Sequence, residues 1–310
     1  MFHHFHDERI HSKSQGSISK DEFYRIIKFI GKKNILNADE FFFRFKENKL
    51  KKNEVCLTFD DGLKCQIDVA LPILDELKIK SFFFLHSSLL TGNPDLLEVY
   101  RYFRENYFEN IDEFYNKFFK FLDIDIENFF ISNDKNIKSM IKKSPFYSIN
   151  DAKFRLVRNE LLSKKKYENI MNLIFKEKKF IPEEHYKNLF FKESDLTQLH
   201  SSGHLIGLHS HTHPTTFEKL SFKEQKDEYK KNLDIFAKIL KVKKSEIKFM
   251  SHPCGSYNND TLKILKDLGI ELGFKQIMKI EVDKGMKKIN NSNLEIARQD
   301  HAEIIKMMNK

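Results

Sequence analysis

The chain has 310 residues, with 54 Lys and Arg against 45 Asp and Glu, a formal charge of +9 and an apolar share of 40%. Its length suggests two domains of about 150 residues or one larger barrel, and ten Gly with six Pro exclude collagen-like, linker-rich and low-complexity chains. No apolar run approaches the ~18 residues of a membrane-spanning helix, and the basic residues are spread through a sequence also rich in Asn, Ile and Phe, so no nucleic-acid partner is expected.

The first residues, Met1-Phe2-His3-His4-Phe5-His6-Asp7-Glu8, offer neither a basic nor an apolar signal region, so a cytoplasmic location is expected. The His3–His6 run reads either as a first barrel strand with histidines pointing alternately inward or as a polar surface strand. A loop at 15–19 leads into a helix capped by Ser19. Glu54–Phe59 reads as a buried strand that stops at Asp60-Asp61-Gly62. Residues 66–78 carry Ile67, Ala70, Ile73, Leu74 and Leu77 at helical spacing, with Pro72 in the first turn or at a kink. Lys80–Leu85 is a second strand, completing a βαβ unit and implying a parallel sheet or barrel.

From Asn93 to about Glu193 the pattern is helical. Tyr100–Phe130 holds 12 aromatics in 31 residues; these read as packing for an insert rather than as a sugar-stacking platform. Residues 141–180 carry 11 bases against 4 acids. Strands and helices then alternate again: a strand at Gly203–Leu208, and a helix over 221–240 opened by a Ser221/Glu224 capping box. A short strand at Lys248–Ser251, a turn at Pro253-Cys254-Gly255 and a helix at Thr261–Leu268 closed by Gly269 follow. Last strands are expected at Ile270–Lys275 and Leu294–Arg298. Cys56, Cys65 and Cys254 are too few and scattered for a disulfide framework and read as packing residues, Cys254 included.

Two clusters carry chemistry. Asp60 and Asp61 end a buried strand, where like charges are costly unless they bind a cation, share a proton or face solvent. Gly62 permits a sharp turn there, and strand C-terminal ends are where parallel α/β folds place their sites. The second cluster is His209-x-His211-x-His213. Two imidazoles and a carboxylate make a zinc-type site with an open position. Pro214 disfavours an α conformation at His213, so a strand end running into a loop is expected.

Thr58-Phe59-Asp60-Asp61-Gly62, the 203–214 segment ending in His209-Ser210-His211-Thr212-His213-Pro214, and Ser251-His252-Pro253-Cys254-Gly255-Ser256-Tyr257-Asn258 resemble, in order, three signatures of the polysaccharide deacetylases, the NodB-homology or carbohydrate esterase family 4 group. The resemblance covers about 55–90 and 195–300. It implies a distorted (β/α) barrel with a helical insert, in which 1–91 and 195–310 form the barrel and 92–194 the insertion. It also implies that Asp61, His209 and His213 ligate one divalent metal ion, expected to be zinc, and that Asp60 is the general base toward the attacking water. His252, Pro253, Gly255 and Tyr257 would line the substrate pocket.

Departures from the family pattern are specific. Many members place an Arg where this chain has Ser251, and Arg298 is the expected replacement for its charge. The late histidine signature that supplies a general acid is missing, with His301 and His252 as substitutes, and there is no Trp. The expected activity is removal of an N-acetyl group from an amino sugar. The absent signal points to an intracellular, nucleotide- or lipid-linked precursor of a surface glycan. The basic 141–180 segment would suit a phosphorylated carrier or a peripheral membrane contact. Two alternatives stay open on the sequence: a different metal amidohydrolase acting on a small amide or formamide, or using His211 in a His-x-His metal pair, and a non-catalytic carbohydrate-binding protein on a degenerate deacetylase scaffold.

Overall fold

The computed structural model describes residues 1–143, 147–276, 278, 281–283, 286–288 and 290–310. The helices in chain order are α1 (Lys20–Ile30), α2 (Ala38–Lys46), α3 (Leu71–Glu76), α4 (Leu97–Asn106), α5 (Ile111–Lys120), α6 (Ile126–Ser132), α7 (Asp134–Lys143), α8 (Ile149–Leu156), α9 (Lys164–Glu177), α10 (Tyr186–Leu189), α11 (Glu193–Ser201), α12 (Phe222–Leu240), α13 (Asn259–Asp267) and α14 (His301–Met308). The main strands are β1 (Thr58–Asp60), β2 (Phe82–Leu85), β3 (Leu205–Leu208), β4 (Phe249–Ser251) and β5 (Leu272–Phe274). They form one parallel sheet in sequential order, and β6 (Glu281–Asp283) pairs antiparallel with β7 (Met286–Lys288).

The chain divides into two compact units: residues 1–13, 17–95 and 187–310, and residues 14–16 and 96–186. The first unit is the distorted barrel. Its strands are buried on both faces, which is why β2 is the unbroken apolar run Phe82-Phe83-Phe84-Leu85. Phe82 and Phe84 point inward and pack with Phe41, Phe249, Phe274 and Ile296. Phe83 points outward onto Phe59, with ring centroids 4.7 Å apart, in a layer shared with Phe2, Phe5 and Phe23 of α1. Gly207 is required by close approach. A Cβ there would lie 2.5 Å from the Phe84 ring and 2.8 Å from the Phe249 carbonyl oxygen.

The sheet edges are extended by single bridges, Phe2 beside Phe59 and Ile296 beside Phe274. They meet where the His301 N–H donates to the Met1 carbonyl, 3.2 Å away. The expected strands at His3–His6 and Leu294–Arg298 are therefore reduced to one-residue bridges. Around them the backbone pairing is short: Ile296 N–H donates to Gly273 O and Lys275 N–H to Ile296 O, while Ile18 N–H donates to His4 O and His6 N–H to Ile18 O. The helix expected at 66–78 begins with a wide five-residue turn at Gln66–Ala70, after which Pro72 occupies the first turn of α3. The Ser19 and Ser221 caps are both present as capping boxes. The helix expected from Thr261 begins earlier, because Asn258 accepts the Thr261 N–H and caps α13.

The second unit is helical from α4 to α9. Phe103, Phe114, Tyr115, Phe118 and Phe154 are wholly or almost wholly buried, and Arg104 lies over the Phe154 ring. The aromatic run thus builds a core. Asn110, Asp125, Ser148 and Ser163 cap its helices. Within the basic 141–180 stretch, residues 144–146 lie outside the described residues.

Candidate active site

Side chains alternate across a strand, and this parity assembles the site. On β1, Thr58 and Asp60 face inward with Phe84 and Gly207, their lateral partners being set by the register Asp60–Phe84 and Phe84–Gly207. His209 continues the inward parity of Leu205 and Gly207, and Ser251 does so on β4. Asp61 (φ 78°) and Gly62 (φ 66°) then turn the chain sharply at the strand end. A Cβ on Gly62 would meet Leu85 and Leu89 at 2.9 Å, so glycine is needed there for space as well as for φ.

Asp60 is 2% exposed and ion-paired with Arg298. Arg298 NH1 and NH2 donate to Oδ1 (2.8 Å) and Oδ2 (2.7 Å), a bidentate fork. The other three N–H groups go to Thr58 Oγ1 (3.2 Å), Ser251 Oγ (2.8 Å) and Lys275 O (2.9 Å), so every guanidinium donor is used. Ser251 Oγ in turn donates to Asp60 Oδ2 at 3.1 Å. Burial pushes the Asp60 carboxyl up, but the charge and hydrogen bonds of Arg298 outweigh it and hold it at about 2. The charge expected at position 251 thus arrives from residue 298, with the serine hydroxyl filling the space between.

Asp61 Oδ1 lies 3.2 Å from His209 Nε2 and 3.3 Å from His213 Nε2. His209 Nδ1–H donates to the Ser251 carbonyl (2.8 Å), which leaves its Nε2 lone pair facing the carboxylate. The three ligand atoms lie within 4.8 Å of one another, all buried, and Asp61 Oδ1 and His213 Nε2 have no hydrogen-bond partner. Burial opposes charge on both partners. Even so, His213 and His209 hold Asp61 well below the usual carboxylate range, and Cys254 and Asp61 push His213 up to about 10. The buried Asp61 carboxylate calls for a positive charge beside it, which a proton on His213 or a divalent ion among the three groups would supply. Two imidazoles and a carboxylate are a fitting donor set for a divalent ion with open positions left for other ligands. His211 is not part of this group; its Nδ1 shares a 2.9 Å hydrogen bond with Ser87 Oγ.

The remaining sequence candidates fall around this centre or away from it. His252 is buried, its Nε2–H donates to the Leu294 carbonyl (2.8 Å), and its ring stacks on Tyr257 at 4.1 Å. Burial pushes its pKa down to about 3, so near neutral pH the ring is neutral and its one proton is engaged with Leu294. The Tyr257 hydroxyl donates to Glu295. His301 opens α14 and stacks on Phe2, with Nδ1 3.6 Å from Asp300 Oδ1. Pro253 is buried, and a Cβ on Gly255 (φ 68°) would touch Gln276. Cys254 is exposed, contrary to the packing role expected: its φ of 52° within the 253–255 turn leaves the side chain in solvent. Two further histidines stand near: His3, from the run read either as an inward-pointing barrel strand or as a polar surface strand, and His86, which the sequence reading did not single out. His3 Nε2 is 3.9 Å from Asp60 Oδ2 with a fifth of its side chain exposed, and the buried His86 ring is 5.6 Å from that of His213. His86 was signalled only by its place just past the C-terminal end of β2.

Comparison with known proteins fits this geometry. The polysaccharide deacetylase family model matches residues 47–109 and 160–273, more than half of the chain. No curated protein sequence matches. Among solved structures, a de-N-acetylase from Aggregatibacter actinomycetemcomitans aligns with TM-score 0.56 and 14% identity over 99% of this chain and 97% of its own. Streptococcus pyogenes deacetylase PplD, in complex with acetate, aligns at 0.54 and 15% over 99% and 94%. IcaB from Ammonifex degensii aligns at 0.53 and 13% over 96% and 87%. At these identities the likeness is one of fold. With the family model covering both halves of the barrel and the strand ends that carry its acids and histidines, the chain belongs to the polysaccharide deacetylases, hydrolases that act on N-acetyl amide bonds.

Proposed function

We propose that this chain is a metal-dependent N-deacetylase whose substrate is an N-acetylated amino sugar, carried as a nucleotide- or lipid-linked precursor of a surface glycan in the cytoplasm. The observation that carries the reading is the convergence of Asp61, His209 and His213 beside an Asp60 kept ionised by Arg298. A bound divalent ion, zinc in this proposal, would polarise the acetamide carbonyl and lower the pKa of a water. Asp60 takes the proton of that water. Its Oδ1 accepts one hydrogen bond, from Arg298, and keeps a lone pair for it, whereas Oδ2 already serves Arg298 and Ser251. His3 Nε2, 3.9 Å from Asp60 Oδ2 and partly open to solvent, is the group we assign to protonating the leaving amine nitrogen. Acetate and the free amine are the products. The exposed lysines at 164–166 are, in the same proposal, part of a face for a phosphorylated carrier or an anionic membrane.

The test is metal content together with acetate release over a panel of nucleotide-linked, lipid-linked and polymeric N-acetyl sugars. One divalent ion per chain, and acetate release that a chelator abolishes, are expected. A metal-loaded protein that releases no acetate from any of them would overturn the activity. Efficient cleavage of polymer with activated monosaccharides ignored would overturn the precursor assignment and leave the chemistry standing.

A further inference from the structure

The turn that carries His213 is held by side chains rather than by the sheet. The His209 N–H donates to Asn232 Oδ1 at 2.9 Å. The His211 and Thr212 N–H groups both donate to Glu228 Oε2, at 2.8 and 2.7 Å, and Thr212 Oγ1 donates to Glu228 Oε1 at 2.8 Å. The His213 N–H donates to Ser210 Oγ at 3.1 Å. On the other side, Ser87 and Ser88 N–H groups take the Ser210 and His211 carbonyls. These bonds fix an unfavourable backbone: Ser210 (φ 64°) and His213 (φ 52°) are both non-glycine residues in the left-handed region. Such conformations persist only where the surroundings over-determine them.

Glu228 and Asn232 lie four residues apart on one face of α12, which is anchored in the barrel by the buried Tyr229, Leu233 and Phe236. Asn232 is fully buried and also donates to the Leu85 carbonyl at the end of β2. Neither residue is a ligand; both grip the backbone between two ligands. We propose that Glu228, supported by Asn232, is the positioning residue that sets the metal affinity of the Asp61–His209–His213 group. Its carboxylate holds the 209–213 turn in the left-handed form that puts His213 Nε2 3.3 Å from Asp61 Oδ1. Without it, two neighbouring N–H groups and a hydroxyl lose a charged acceptor. The turn then relaxes toward ordinary φ and carries the imidazole off the centre. The inference rests on the metal-centre reading above.

The experiment titrates the metal-free full-length protein with Co²⁺ and follows the visible absorption of the bound ion, with Zn²⁺ competition for affinity. Glu228→Ala should weaken binding about 10–100-fold, the usual cost of removing an outer partner of a metal site, and should shift the Co²⁺ spectrum. Glu228→Gln, which keeps an acceptor oxygen for the two N–H groups, should recover most of the affinity and the parent spectrum. Asp227→Ala, on an exposed neighbour, should match the parent. Should Glu228→Ala not fold, Thr212→Val removes one bond to the same carboxylate and should weaken binding about 3–10-fold. Parent-like affinity and spectrum in Glu228→Ala, or in Thr212→Val where that variant is the one read, overturn the inference, as does Glu228→Gln binding as weakly as Glu228→Ala. A parent that binds no Co²⁺ or Zn²⁺ instead removes the metal-centre reading, and this inference with it.

Discussion

Replacing Arg298 by methionine isolates the group that holds Asp60. The guanidinium spends all five donors inside the barrel, two of them on Asp60, and lies within about 6 Å of the Phe84 and Phe274 ring centres, so methionine keeps much of the packing and none of the charge. Asp60, 2% exposed, is left with the Ser251 hydroxyl. In the parent its pKa falls from 3.8 to about 2. At about 1.4 kcal/mol per tenfold in the proton equilibrium, that contributes on the order of 2 kcal/mol. Because the folded pKa is the lower one, the contribution is complete above pH about 4 and is lost as the pH falls toward 2. Breaking a buried pair from one side costs about 3–5 kcal/mol, and the two figures bracket the expected loss. In the variant, burial is no longer outweighed by Arg298 and shifts the Asp60 pKa upward, with His209, His3 and the Ser251 hydroxyl left to oppose it. A carboxyl more readily protonated, and no longer held in place by the guanidinium, is a poorer acceptor for the proton of water, which should cost about 10²–10⁴-fold in acetate release. Metal content should stay at the parent level. Urea unfolding of the metal-free protein and the pH–rate profile read both effects, the variant recovering rate as the pH rises. Acetate release within about threefold of the parent, with an unfolding change below about 1 kcal/mol, would refute the reasoning.

Asp61→Ala should abolish stoichiometric metal binding while His211→Ala retains it at saturating metal, measured by metal analysis after desalting; the reverse order would reassign the ligands. His3→Gln should lower kcat by about 100-fold or more with metal affinity unchanged. A kcat within about threefold of the parent would exclude His3 as the donor. Gly207→Ala should cost about 1–3 kcal/mol in denaturant unfolding, because its Cβ has no room between the Phe84 ring and the Phe249 carbonyl.

What could be read in the sequence was what local chemistry fixes. The βαβ order, the Ser19 and Ser221 caps and the acid and histidine segments at strand ends are all carried by nearby residues. Helix α2 escaped notice because Phe41-Phe42-Phe43 looks like a strand run, although Ala38, Phe41, Phe42 and Phe45 keep helical spacing. The partnership of Asp60 with Arg298 spans 238 residues and has no local signature beyond the serine at 251. The left-handed turn at Ser210 and His213 was equally hidden, since no glycine marks it. Its trace in the sequence is Glu228 and Asn232, four residues apart on α12, which accept the N–H groups of His209, His211 and Thr212.

The placement of Arg298 has a consequence for the order in which the protein matures. The three residues proposed as ligands lie between 61 and 213, whereas the partner that keeps Asp60 charged arrives at 298. On the proposed function, a chain emerging from the ribosome would complete its metal-binding set well before its base is competent. Loading of the ion and onset of turnover would then be separate events in the life of each molecule.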